Sequence, residues 1–147
     1  DLTTGMTLEA WVQPTALGSL WRCVILKEQP SNLIYALYAG DGLARPAMDV
    51  FTTADIGFSG PTALTLNTWV HLAATYDGTT QRLYVNGVQV ATRATTGAIR
   101  VSTGALRIGG DTSWTNEWFA GLIDEVRVYN KALTAAEIQA DMAKPVN

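Results

Sequence analysis

Between Thr68 and Val90 apolar and polar positions alternate with a period of two. In WVHLAATY, Val70, Leu72, Ala74 and Tyr76 share one parity while Trp69, His71, Ala73 and Thr75 share the other, the pattern of a strand with two unlike faces. Asp77-Gly78 then supplies a reversal, since both residue types tolerate the positive φ of tight turns. The following strand, RLYV, meets Asn86-Gly87 and continues as VQV. Asn-Gly between alternating apolar runs predicts a hairpin closed by a type I′ turn, which needs φ > 0 at both central residues.

The rest of the chain reads in the same way. In TLEAWVQP, Met6, Leu8, Ala10 and Val12 fall on one parity and Glu9, Trp11 and Gln13 on the other. RCVILKE and LIYALYA flank Gln29-Pro30-Ser31-Asn32 and predict a second hairpin. A weaker strand is expected around Met48 to Thr52, a loop with room for one short strand over Asp55 to Asn67, strands at Ala98 to Val101 and Ala105 to Ile108, and a long last strand from about Phe119 to Tyr129. Thr134 with Glu137 three residues on forms a capping box, Ile138 and Met142 share a helical face, and Pro145 stops the element. A helix over about 134–143 is expected to lie across one end of the domain. About ten short strands with frequent turns predict an all-β, antiparallel, two-sheet sandwich or jelly roll.

Composition fits one domain spanning 1–147. Its 147 residues, 48% of them hydrophobic, can fill a substantial core. No apolar run approaches the roughly 18 residues of a membrane span, and no stretch reads as a secretory leader. A net charge of −3 with scattered basic residues leaves no electrostatic footprint for nucleic acid. Cys23 is the sole cysteine, so an internal disulfide is excluded, and its place in a strand suits a buried, unreactive thiol.

Taken in order, EAWVQP, ILKE, NTWVHLAATYDG, LYVNG, LRIGG and GLIDEVRVYNKALTAAEI resemble the laminin G-like, concanavalin A-like jelly-roll domains of secreted bacterial and archaeal proteins. The resemblance covers nearly the whole chain. It implies two curved sheets stacked face to face, deployment outside the cell or at its surface, frequent calcium binding, and use as an adhesion or carbohydrate-binding module. Domains of that family usually begin with one more strand, often carrying Phe-Asp-Gly, which has no counterpart before Leu8 to Val12. Its lack implies an open edge beside Ile123 to Tyr129, to be completed by a strand from another chain or from an upstream segment.

Several residues could carry chemistry. Asp124 shares parity with Val126 and Val128, so a carboxylate is expected where the core should be. A Ca²⁺ ion helped by backbone carbonyls, as the resemblance implies, would satisfy it; so would backbone N–H groups at a bend, or a bulge that turns it outward. Glu9 and Arg127 could pair across neighbouring strands. The segment DTSWTNEW sets Trp114 and Trp118 among Asp111, Asn116 and Glu117, with Trp21 and Tyr38 near other turns. Sugars present apolar C–H faces and polar rims, so aromatic rings beside amides and carboxylates are candidates for glycan contact; Trp118 or Trp114 closing one end of the core is the alternative. Trp11, Trp69 and His71 in strands suit packing. The chain has no Glu-x-Asp-x-Glu strand, no Gly-x-Ser-x-Gly, no paired metal-protease histidines and no phosphate loop, so catalysis is not expected. Two readings remain, with a glycan or a surface protein as partner: a lectin-like module, with or without calcium, and a structural or adhesive module of an extracellular assembly whose open edge strand is completed by another chain.

Overall fold

The computed structural model describes residues 2–146; Asp1 and Asn147, the ends of the expected domain, lie outside the described residues. Ten strands and one helix follow in order: β1 (Met6–Ala16), β2 (Arg22–Gln29), β3 (Asn32–Gly40), β4 (Ala47–Phe51), β5 (Asp55–Ser59), β6 (Val70–Tyr76), β7 (Thr80–Val85), β8 (Val88–Ala94), β9 (Leu106–Ile108), β10 (Ala120–Tyr129) and α1 (Ala135–Met142). They form two antiparallel five-stranded sheets, ordered β10-β1-β6-β7-β8 and β5-β4-β3-β2-β9. This is the expected all-β sandwich with a short C-terminal helix.

The alternation read from the sequence builds the core. Met6, Leu8, Ala10 and Val12 of β1 and Leu72, Ala74 and Tyr76 of β6 face Ile25, Ile34, Leu37, Met48 and Val50 of the second sheet, all buried in one cluster. Asn86 and Gly87 both take positive φ, +50° and +73°, as the type I′ hairpin requires. Asp77 closes the preceding turn by accepting the N–H groups of Thr79 and Thr80 at 2.9 and 2.8 Å.

Asp55–Ser59 is a short strand paired with β4, within the segment read as a loop with room for one. Two elements depart from expectation. Residues 98–101 form no strand; Ile99 is buried, its N–H bonds to the Thr3 carbonyl ahead of β1 and that of Arg100 to the Phe51 carbonyl at the end of β4, so the segment ties the approach to β1 to the second sheet instead of joining a ladder. The helix packs on the outer face of the first sheet, not across an end: Ile138 is buried with Ala73, Tyr84 and Leu133. Its capping box is present, with Thr134 and Glu137 each accepting the other's backbone N–H. Because α1 covers that face, β6 is buried on both sides.

The covered face also holds the Glu9 and Arg127 pair. The two are opposite in register, 3.8 Å apart, and Glu9 is fully buried. Burial first, and then the nearby Asp141, raise the Glu9 carboxyl to about 7, while burial followed by Arg127 lowers His71 to about 4. Both groups are therefore largely or substantially neutral near pH 7.

Among the described residues β10 is an edge strand, paired only with β1. The chain's own C-terminal segment meets it through side chains, the Lys144 carbonyl accepting from Arg127 and the Val146 N–H donating to Glu125. β10 also carries a bulge between Asp124 and Arg127, where Glu125 adopts φ +52°. The extra residue shifts the parity, so that Ile123 and Val126 both pack on the core. Asp124 is consequently exposed, which corrects its expected burial.

Candidate functional site

The outer face of the second sheet is built from the positions that alternation sends away from the main core. Cys23 and Leu26 of β2, Leu33, Ala36 and Tyr38 of β3 and Ala47 of β4 form a separate buried cluster. Asp49 lies two residues beyond Ala47 on the same face. In register it sits between Ala36 on β3 and Gly57 on β5. A Cβ at Gly57 would fall 1.7 Å from the Asp49 carboxylate, so only glycine leaves room for that side chain to lie across β5. Small residues on both sides of Asp49 leave a depression in the sheet.

The segment between β9 and β10 forms the wall. Glu28, at the end of β2, pins its start: one carboxylate oxygen accepts from Arg107 Nε at 2.7 Å and from the Thr112 N–H and hydroxyl at 2.7 and 2.8 Å. Burial opposes ionisation of Glu28, but these hydrogen bonds outweigh it and hold the carboxyl below its usual range. Asp111, itself buried, accepts the Trp114 N–H at 2.8 Å and so turns the chain back over the sheet, where Trp114 packs on the outer cluster. The segment leaves along β2, with the Cys23 N–H donating to the Glu117 carbonyl at 3.0 Å.

Between this wall and the sheet lies a cleft of about 180 Å³. Trp21, Tyr38, Trp114 and Leu33 supply its apolar surface, and Asp49, Asp55 and Glu117 its polar groups. Trp21 stands edge-on to Tyr38 with ring centroids 4.8 Å apart and planes at 70°, which fixes its indole at the rim. Burial and then Asp55 and Glu117 raise the Asp49 carboxyl to about 7. Burial and then Asp111 raise Glu117 to about 7, against the pull of the Tyr38 hydroxyl. Burial also raises Asp55, Tyr38 and the thiol of Cys23, which leaves Cys23 protonated and inert. Near neutral pH the cleft thus offers carboxyl groups able both to donate and to accept hydrogen bonds.

Of the residues expected from the sequence to touch a glycan, Trp21 and Trp114 come together here, and Asp111 serves as the buried anchor of the wall. Trp118 does not join them. It is 59% exposed and bounds a separate hollow with Leu106, Ile108 and Thr112. Asn116 is exposed at a turn with φ +69° and lines neither hollow. Asp124 lies on the other sheet beside Trp11, Trp69 and Glu125. Among the described residues, no group of three or more His, Cys, Asp or Glu side chains is placed to hold a metal ion. Sequence reasoning missed Asp49 and Asp55. The parity of Asp49 with Ala47 in AMDVF, and the glycine inside DIGFS, were the available signals.

A family model described as the concanavalin A-like lectin/glucanases superfamily matches residues 1–139. Mouse pappalysin-1 is 42% identical over 79 residues, which is 50% of this chain and 5% of that protein. A Bacteroides ovatus protein provisionally described as carbohydrate binding superposes with a TM-score of 0.78 at 21% identity, over 92% of this chain and 40% of its own. Domain 4 of the extracellular arabinanase AbnA from Geobacillus stearothermophilus, in complex with arabinotriose, gives a TM-score of 0.73 at 19% identity, over 96% of this chain and 68% of that one. The chain therefore spans a small part of the pappalysins and less than half of the Bacteroides structure.

Proposed function

The chain belongs to the concanavalin A-like lectin/glucanases superfamily, and from that premise we propose that it is a non-catalytic carbohydrate-binding module whose ligand lies in the cleft between Trp21 and Trp114. The observation that carries this reading is the convergence of two indoles and three carboxyls around Leu33 and Tyr38. An indole stacks on the C–H face of a pyranose or furanose ring, and neighbouring carboxyls take the hydroxyls at its rim. A half-open cleft of this size suits one or two sugar rings of a chain whose ends remain outside. Structural likeness to a domain crystallised with arabinotriose supports the same ligand class, and the description of its parent as extracellular supports a role outside the cell.

A glycan array followed by calorimetry on the best hit tests the proposal. Trp114→Ala and Trp21→Ala should each weaken binding by about tenfold or more, given about 1–3 kcal/mol for an aromatic stacking contact. Trp118→Ala should leave affinity within about twofold. No glycan binding, or binding lost only in Trp118→Ala, would overturn the assignment. The hit should be recovered uncut after prolonged incubation, since the module is proposed to hold sugar without hydrolysing it. Repeating the titration after chelation and again with added Ca²⁺ tests whether the module needs the ion that Asp124 was expected to hold.

A further inference from the structure

The titratable groups that line the polar side of the cleft are all acidic. Asp49 rises from the sheet floor, Asp55 stands at the start of β5, and Glu117 comes from the wall. Behind Glu117 lies Asp111, 5% exposed, which lines the separate hollow of Trp118 and interacts with the Glu117 carboxyl from outside the cleft. No Lys, Arg or His lines the cleft among the described residues. Two guanidiniums lie outside its lining, and both donate to backbone carbonyls. Arg93 donates to Gly57, and Arg22 to Leu17 and Trp118.

This arrangement discriminates among sugars by charge. A uronate, sialate or sulfate would be brought against three carboxyls with no cation in the cleft lining, and whichever of them is ionised repels it in a partly desolvated site. A neutral sugar meets no such penalty. A sugar bearing a free ammonium gains twice: its N–H groups donate to the carboxylate oxygens of the cleft, and its charge is attracted to the faces of Trp21 and Trp114.

We propose that the cleft selects sugars with a free amine, as in oligomers of glucosamine, over their N-acetylated and anionic counterparts, with Asp49 and Glu117 as the discriminating residues. This rests on the cleft being the sugar site proposed above. The partial protonation of both carboxyls near pH 7 fits the scheme: an incoming ammonium favours their ionised forms, the carboxyl O–H bonds break, and the protons pass to solvent as N–H···O⁻ hydrogen bonds form.

Calorimetry at about pH 6.5 with three tetrasaccharides, of glucosamine, N-acetylglucosamine and a uronic acid, tests the inference. The amine form should bind at least about tenfold tighter than the N-acetylated form, and the uronate should not bind. The ratio of amine to N-acetyl affinity should fall toward one in the Asp49→Asn/Glu117→Gln double variant. It should also shrink in the unmodified protein between low and about 0.5 M salt, a readout that does not depend on the variant folding. Neutral oligosaccharide binding that is lost in Trp114→Ala but carries no amine preference would overturn this inference alone. Tightest binding of the uronate would overturn it as well, and the absence of all saccharide binding would remove both this inference and the site.

Discussion

Replacing Glu28 tests how the wall of the cleft is held. Its side chain is 10% exposed, and a single oxygen collects three donors at 2.7–2.8 Å, two of them from Thr112 at the start of the Trp114 segment. Hydrogen bonds to a charged acceptor contribute about 1.5–3 kcal/mol each. The Arg107 side chain is 42% exposed and recovers hydration when its partner is lost, so its share is discounted. Two bonds from Thr112, partly rehydrated in the variant, leave a loss of about 2–4 kcal/mol for Glu28→Ala. At about 2–4 °C per kcal/mol for a domain of this size, Tm should fall by roughly 5–15 °C. Glu28→Gln keeps an acceptor oxygen but loses the charge, and about half the effect is expected. The folded carboxyl sits below its usual range, so its stabilisation is present above the ordinary carboxyl pKa and lost as pH falls through the lowered value. Urea denaturation at pH 7 and pH 3 therefore should show the gap between wild type and Glu28→Ala narrowing in acid. A Glu28→Ala midpoint within experimental error of wild type at pH 7, or a gap that widens in acid, would refute the reasoning.

Glu9, Asp49 and Glu117 act in the opposite sense: each is raised to about 7, so the folded state keeps protons that the unfolded chain releases. Stability should be greatest near pH 5 and fall as pH rises through 7, and Glu9→Gln should flatten that slope in urea midpoints measured from pH 5 to 8. Gly121→Ala should destabilise by about 3 kcal/mol or more, because Gly121 has φ +142° and an added Cβ would lie 2.1 Å from the rigid Gln13 carbonyl; a variant that melts with wild type would contradict the strand register described for β10 and β1. Thr134→Ala should cost about 1 kcal/mol through loss of the helix cap, seen as a lower Tm.

Most of the framework was legible because period-two alternation survives wherever a strand has neighbours on both sides. β1, β6 and the Asn86-Gly87 hairpin are cases in point. The pattern misled where local geometry breaks it. The bulge at Glu125 shifts parity within β10, and a non-glycine residue in a left-handed conformation gives no warning in the sequence; hence Asp124 was expected inside and lies outside. Residues 98–101 have strand-like composition but lie where they tie the approach to β1 to the second sheet, and only the fold decides that. β5 was obscured by the glycine whose missing side chain makes room for Asp49.

The site was legible in part for the same reason. The chemistry of DTSWTNEW marked its indoles and carboxyls as ligand candidates, and Trp21, expected near another turn, stands in the same cleft as Trp114. Which indole faces the sheet depends on contacts far apart in sequence: Asp111 turning the chain at Trp114, Glu28 gripping Thr112, and Cys23 bonding the Glu117 carbonyl. These bonds fold Trp114 inward and leave Trp118 outside. The carboxyls that complete the cleft come from β4 and β5, which only sheet pairing brings beside the loop.

The chain has five tryptophans, Trp11, Trp21, Trp69, Trp114 and Trp118, and each gives one indole N–H signal in a proton–nitrogen NMR spectrum. Titration with an oligosaccharide ligand reads the site directly. The signals of Trp21 and Trp114 should shift together along one binding isotherm, while those of Trp11, Trp69 and Trp118 stay in place. Shifts confined to Trp118, or to Trp11 and Trp69 on the opposite sheet, would contradict the assignment of the cleft as the carbohydrate site.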